Sequence, residues 1–411
     1  MSTIKPDALK ADTLRLKNKD ESVMAFDCRS AKKTRSSGQV TLSVAVICGI
    51  LLSATGCREQ ARDSITQKSA AAQTLRGAAE KHHLLMGTAV DSPYLAEDQY
   101  RTILAREYSA LEPANELKFD AVHPKPESYE FTASDVLVAF ARTHSMKLRG
   151  HNLLWHRSLP NWIVVNDWMH AQNGPSSPWT PEALNKVLSE HIATVVKRYR
   201  GEIYAWDVVN EPFNEDGSMR SSIWYEKPGI GFAGEGTKYI AQALIWAHAA
   251  DPDARLFVNE YNAETLNKKS DAMYEMAKDF LRQRVPLNGI GMQLHVESDF
   301  NSFEDLSQNI QRLARLGLEV QFTEVDVRLK DDSDVSLRAQ ADVYQRLLNV
   351  CLKESACTLF QTWGITDRYS FIPETFPGYG WALPFDENYR KKPAYNAMLK
   401  QLQLQSKVAE R

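Results

Sequence analysis

Strong charge of either sign is missing from this chain. Its 411 residues carry 49 Lys and Arg against 52 Asp and Glu, a net charge of −3. The basic excess of a nucleic-acid binder is therefore absent, and polyanionic partners are set aside. Long hydrophobic runs are missing too: the sustained apolar stretch from Val40 to Ala54 is about 15 residues, short of a comfortable membrane span. Cysteine is scarce, with five residues at 28, 48, 57, 351 and 357. His151 and His156 have no third residue at a metal-ligand spacing, so no metal and no other cofactor are expected. No literal repeat divides the chain. At this length two or three average domains, or one α/β barrel of about 250 residues or more, are all in range.

What is present begins with a leader. Lys32-Lys33-Thr34-Arg35 precedes the apolar run, which has the length of a signal-peptide core. The tail Leu52-Ser53-Ala54-Thr55-Gly56-Cys57 resembles a bacterial lipobox, which implies lipidation of Cys57 and a mature chain starting there. Ala54 stands where Leu is usual, and the long stretch before the basic cluster makes Met24 an alternative start. An ordinary cleaved signal, an uncleaved anchor and a buried core segment are the other readings. The boundaries read as a leader over 1–57, a polar tether over 58–75 and a folded domain over 76–405. The product is expected outside the cytoplasm, as a periplasmic or surface lipoprotein or else secreted, touching the membrane only through that anchor or signal. Export predicts oxidation, so Cys351 and Cys357, the even pair left in the folded part, are expected to form a disulfide, with two reduced core cysteines as the alternative.

From Leu84 onward, short apolar runs alternate with segments of helical period, the pattern of βα units. Eight candidate strands follow: Leu84 to Val90, Glu107 to Leu111, Lys147 to Asn152, Ile203 to Val209, Arg255 to Glu260, Gly289 to His295, Glu319 to Glu324 and Thr358 to Trp363. The spacing predicts helices over 133–145, 181–199, 236–250, 270–284, 302–316 and 337–354. Eight such pairs fit a single TIM (β/α)8 barrel better than an open doubly wound sheet. His151, Asn210, Glu211, Glu260, His295, Glu324, Asp326 and Trp363 all fall at strand ends, where barrel active sites form.

Two of those ends carry Glu. Trp206-Asp207-Val208-Val209-Asn210-Glu211-Pro212 delivers one and Val320-Gln321-Phe322-Thr323-Glu324-Val325-Asp326 the other, the pair that glycoside hydrolysis needs as proton donor and nucleophile or base. A donor must hold its proton near neutral pH, and Trp206 with Phe213 is expected to supply the apolar surround that raises Glu211. Asp326 projects to the same side as Glu324, and His295 is placed to lie between them. Gly229-Ile230-Gly231-Phe232-Ala233-Gly234 spells a dinucleotide fingerprint but follows no strand and is rejected.

Together with Arg149-Gly150-His151-Asn152-Leu153-Leu154-Trp155-His156, Leu256 to Asn262, Gly289 to His295 and Thr362 to Asp367, these two strands make six segments in one order. In that order the sequence resembles the glycoside hydrolase family 10 endo-1,4-β-xylanases from about Met86 to Tyr395. The resemblance implies a retaining mechanism, with Glu211 as acid/base, Glu324 as nucleophile and carboxyl groups roughly 5 to 5.5 Å apart. It also implies that Asn210 binds the sugar 2-hydroxyl, that Gln293, His295 and Asp326 surround the nucleophile, and that Asn115, Lys118, His151, Trp155, Tyr261, Trp363 and Phe371 line the substrate. Xylan or xylo-oligosaccharides are the implied partner, the chain is expected to act as a monomer, and little follows Leu399 that could form a separate binding module.

Four positions depart from that family. Ala114 stands where Glu grips the second sugar, Phe119 where Trp is usual, Phe371 where a second indole lines the cleft, and Glu260 where Asp is usual. Losing a charged hydrogen bond at Ala114 is expected to weaken binding by about 1.5 to 3 kcal/mol, with Trp381 as a candidate for compensating stacking. Alternatives to xylan hydrolysis are another β-1,4-glycan, transglycosylation, or a barrel that binds glycans at the surface without turnover.

Overall fold

The computed structural model describes residues 73–164 and 179–409, with side chains to 404. The leader, Met24 and Cys57 lie outside the described residues. Eight parallel strands close on themselves: β1 (Leu85–Val90), β2 (Ala110–Pro113), β3 (Lys147–Leu154), β4 (Ile203–Asn210), β5 (Arg255–Glu260), β6 (Gly289–Met292), β7 (Glu319–Arg328) and β8 (Cys357–Thr362). Each pairs with its neighbour, β6 joins β7 at Gly289 and Glu319, and β8 returns to β1 at Leu359 and Leu85. This is a single (β/α)8 barrel, and its helices cover the outside with one apolar stripe each.

Local sequence explains the helix ends. Thr74 caps a short helix, α1 (Leu75–Ala79), through Gly77 N–H. The principal helices that follow are α2 (Asp98–Glu107), α3 (Thr132–Thr143), α4 (Pro181–Arg198), α5 (Lys238–Ala250), α6 (Lys268–Gln283), α7 (Phe303–Arg315), α8 (Asp334–Lys353) and α9 (Pro393–Ala409). Thr180 and Pro181 open α4, and Asn267 with Ser270 makes a reciprocal capping box on α6. No helix among the described residues is long and apolar enough to cross a membrane.

Three differences from the sequence reading have physical causes. The expected strand from Glu107 begins only at Ala110, because Tyr100, Ile103, Leu104 and Glu107 follow a helical period and are buried on α2. The Glu107 carboxylate accepts from Leu75 N–H (2.9 Å) and Tyr395 OH (2.8 Å), tying both termini of the domain to this helix. Leu75, read as tether, is accordingly inside the core. The strand expected through His295 stops at Met292. Leu294 turns into left-handed backbone (φ 62°), its N–H is held by the buried Glu264, and pairing resumes at His295–Glu297 beside β7. The residues after Leu399 continue α9 against α8 and α1.

Cys351 and Cys357 are bonded (S–S 2.02 Å) and join the end of α8 to the start of β8. Closing so short a loop is worth about 2 kcal/mol on the chain-entropy account. Gly229 to Gly234 lies in turns ahead of α5, with no strand before it.

Candidate active site

The C-terminal ends of the strands surround a cleft of about 460 Å³. Lys118, His151, Trp155, Asn210, Glu211, Tyr261, Gln293, His295, Glu324, Trp363 and Phe371 all line it. Asn115 lines a smaller adjoining pocket of about 170 Å³, which shares Lys118, Trp363 and Phe371 with the cleft.

Backbone irregularities aim these side chains. In regular strands only every second residue faces the bore. The β4–β5 register shifts between Asp207 and Val209, so that Asp207 and Asn210, three apart, both turn inward. A second shift, between Phe322 and Val325 on β7, lets the successive residues Thr323 and Glu324 both meet Asn259. Asn259 is the hub. Its Nδ2 donates to Glu324 Oε1 (2.7 Å) and to Asn210 Oδ1 (2.9 Å), while its Oδ1 accepts from Thr323 (2.7 Å). A Cβ on Gly291 would come within 2.3 Å of that Oδ1, so the neighbouring strand must be bare here.

Glu324 is 4% exposed and acts as an anion. Burial opposes its charge, but the hydrogen bond from His295 Nε2 (3.1 Å) and the nearby His151 and His295 charges outweigh that and hold it below the usual carboxylate range. Burial likewise works against a charged His295. Asp326, 2.6 Å from Nδ1, overcomes it with Glu324 and moves the imidazole up to about 10. His295 is thus an imidazolium between two carboxylates, the relation expected from Glu324, Asp326 and the preceding strand end.

Glu211 follows β4 in left-handed backbone, φ 55°. Its Oε2 accepts from Trp155 Nε1 (2.9 Å), and its Oε1 from Gln293 Nε2 (3.1 Å) and Asn210 Nδ2 (3.4 Å). The expected surround of Trp206 and Phe213 is not what borders it. Trp206 lies over Gly150, where a Cβ would sit 2.2 Å from the indole, and neither residue lines the cleft. The strand alternation that turns Asp207 into the bore turns Trp206 to the outside.

Below the cleft, Arg149 bridges Glu112 (2.6 Å) and Asp207, all fully buried, and also donates to Gln321 (2.9 Å). Asp207 accepts from His151 Nδ1 at 2.9 Å. Burial would discharge His151, but that hydrogen bond and the charges of Glu112 and Glu324 raise its pKa. Glu112, His151 and Asp207 have metal-ligand spacing, yet the Arg149 guanidinium already lies against both carboxylates and supplies the cation.

Lys118 Nζ donates to Asn115 (2.7 Å), which donates to Asp91 (2.8 Å), and lies 5.2 Å from the centre of the Trp155 ring. Trp363 meets His151 edge-on at 5.3 Å, and Phe371 meets His295 at 5.2 Å. Ala114 forms part of the wall beside Asp91 and Asn115. Two candidates move away from the cleft. Trp381 lines a separate depression with Asp367 and Lys392, so it cannot stack on a sugar held at Glu211 and Glu324. The Glu260 carboxylate takes the face of β5 opposite Asn259, where Phe213 N–H (3.0 Å) and Lys269 (2.9 Å) hold it. Asn259, Asp207, Glu112 and Arg149 were not singled out from sequence. The signal for Asn259 was its period-two spacing from Phe257, which marks the bore face of β5.

The profile described as Glycosyl hydrolase family 10 matches residues 74–401. The chain is 39% identical over 329 residues to endo-1,4-beta-xylanase B of Thermotoga neapolitana, covering 79% of this chain and 90% of that one. It is 37% identical over 333 residues to endo-1,4-beta-xylanase C of Phanerodontia chrysosporium, covering 80% and 78%. Among solved structures, native xylanase 10B from Thermotoga maritima superposes with a TM-score of 0.76 at 38% identity, covering 82% of this chain and all (100%) of that one. Xylanase 10B from Thermotoga petrophila, in complex with xylobiose, gives 0.75 at 37% identity, covering 81% and 98%.

Proposed function

The chain belongs to glycosyl hydrolase family 10, and on that premise we propose that it is a retaining endo-1,4-β-xylanase cutting internal bonds of xylan. The observation that carries this reading is a pair of carboxylates facing one cleft in different environments. Glu324 is buried, bonded to His295 and Asn259, and held ionised, whereas Glu211 is partly open to the cleft. In the first step Glu324 attacks the anomeric carbon as Glu211 gives its proton to the glycosidic oxygen, which leaves as the alcohol of the shortened chain. The result is a glycosyl ester on Glu324. Glu211, now a base, takes a proton from water, whose oxygen displaces Glu324 and restores the starting configuration.

The surrounding residues take supporting roles in this scheme. Asn210, fixed by Asn259, holds the 2-hydroxyl at the reacting sugar, where such bonds tighten in the transition state. Asp326 keeps His295 charged, and His295 keeps Glu324 ionised. Trp155 and Gln293 orient Glu211, while Lys118, His151, Trp363, Tyr261 and Phe371, with Asn115 in the adjoining pocket, line the sugar path. We also place the enzyme outside the cytoplasm, carried by the signal-like run to Ala54 and held by a lipid on Cys57, and the Cys351–Cys357 bond supports an oxidising compartment.

The test is sugar release from xylan by the wild type and two variants. Glu324→Ala and Glu211→Ala are each expected to lose a factor of about 10² to 10⁴ or more. Near-full activity in either one sinks the assignment of roles.

A further inference from the structure

Arg220 lies outside the cleft lining, yet residue 220 meets three successive carbonyls of the segment that carries Glu211. Arg220 Nε donates to Glu211 O, its backbone N–H to Pro212 O, and its Nη2 to Phe213 O, each at 2.8 Å. The same Nη2 reaches the hydroxyl of Tyr261, a cleft residue, at 2.9 Å. A small hairpin makes this possible. Phe213 bridges Met219, and Asn214 N–H donates to Ser218 O (2.8 Å), so that the chain turns back and lays Arg220 beside the peptides it has just left.

The N–H groups of this segment are held as well. Glu211 N–H donates to Asn259 O (2.8 Å) and Phe213 N–H to Glu260 Oε2 (3.0 Å). Glu260 is paired with Lys269 at 2.9 Å, and the Lys269 ammonium lies 3.6 Å from the centre of the Tyr261 ring. These contacts act on a residue with φ 55°, a conformation that costs a non-glycine residue about 1 kcal/mol or more and persists only where the surroundings over-determine it.

We infer that Arg220 is a positioning residue for the acid/base, acting through the backbone and not on the sugar. It fixes the left-handed turn at Glu211 and couples that turn to Tyr261, so that the carboxyl group points at the oxygen that leaves. Removing the guanidinium frees two carbonyls and one hydroxyl, lets Glu211 relax toward ordinary backbone angles, and displaces its proton from the leaving group. Misplacement of this kind is costly even when every reacting atom remains.

The inference rests on the xylanase reading above, and the test separates the two. Two substrates share xylobiose on the glycone side and differ in the leaving group. 2,4-Dinitrophenolate departs without a proton, whereas phenolate needs one. Arg220→Ala is expected to lower kcat/KM on phenyl β-xylobioside by about 10- to 100-fold while leaving the dinitrophenyl substrate within about threefold. Added azide, an anion that displaces Glu324 in place of water and needs no base to do so, is expected to raise turnover of the dinitrophenyl substrate by this variant. Arg220→Lys keeps a cation but cannot reach all three oxygens, and is expected to show the same leaving-group dependence at smaller size; it carries the comparison if the alanine variant does not fold. Equal losses on both substrates, or no loss on either, overturn the inference. A wild type inert on both overturns the xylanase reading instead.

Discussion

His295 shows how much one residue draws from its neighbours. Imidazole in water is mostly neutral above pH 7, but here Asp326 at 2.6 Å and Glu324 at 3.1 Å stand on either side of the ring. Despite burial they move it up to about 10. The sign of the stability effect follows, since a folded pKa above the unfolded one adds stability that is complete below about pH 6.5 and is lost as pH rises toward 10. Nitrogen NMR of the ring is therefore expected to show a doubly protonated His295 at pH 8, and Asp326→Asn to bring the titration down toward the ordinary range. A neutral ring at pH 7 in the wild type refutes this account of how Glu324 stays ionised. At this scale the sequence was informative: Glu324, Asp326 and His295 stood out because few constellations place a histidine and two carboxylates at neighbouring strand ends. The environment of Glu211 was not legible in the same way, because its partners Trp155 and Gln293 come from other strand ends and the apolar residues adjacent in sequence point elsewhere.

Elements decide which side chains meet. Glu112 on β2, Arg149 on β3 and Asp207 on β4 form a fully buried set below the cleft, and Asp207 passes its orientation on to His151. A buried pair whose partner is removed leaves charge without compensation. Arg149→Met is expected to cost about 3 to 5 kcal/mol in denaturant unfolding, whereas a loss under about 1 kcal/mol speaks against a charged network. The start of β2 and the end of β6 were misplaced, but the other six strands and the six predicted helices were readable from alternation and period. The register shifts at Asp207/Val209 and Phe322/Val325 were not. A one-residue slip leaves the apolar pattern of the neighbouring residues almost unchanged while turning a polar side chain from one face to the other. Glu260 was read as a cleft residue although the unbroken alternation of β5 from Phe257 puts Asn259, not Glu260, on the bore face.

The barrel domain joins its ends through contacts far apart in the chain. Glu107 accepts from Leu75 at the start of the domain and from Tyr395 near its end, and β8 closes onto β1 through Leu359 and Leu85. The disulfide at Cys351 and Cys357 fits a chain that passes through an oxidising compartment. If Cys57 carries lipid, labelled palmitate fed to a bacterial host is expected to enter the wild-type protein and not Cys57→Ala, and the variant is expected to leave the membrane fraction. Equal labelling of both excludes the anchor.

The sequence by itself determined the barrel, the order of its units and the two Glu residues that face the cleft, because period and strand-end chemistry are local properties that survive without coordinates. Only the tertiary structure decided which atoms hold those carboxylates. Asn259 joins Glu324 to Asn210 through a strand register set by closure of the barrel, and a returning hairpin lays Arg220 against the turn at Glu211. The first of these depends on where a distant strand comes to rest, and the second on a side chain reaching back across a hairpin, and no apolar pattern records either.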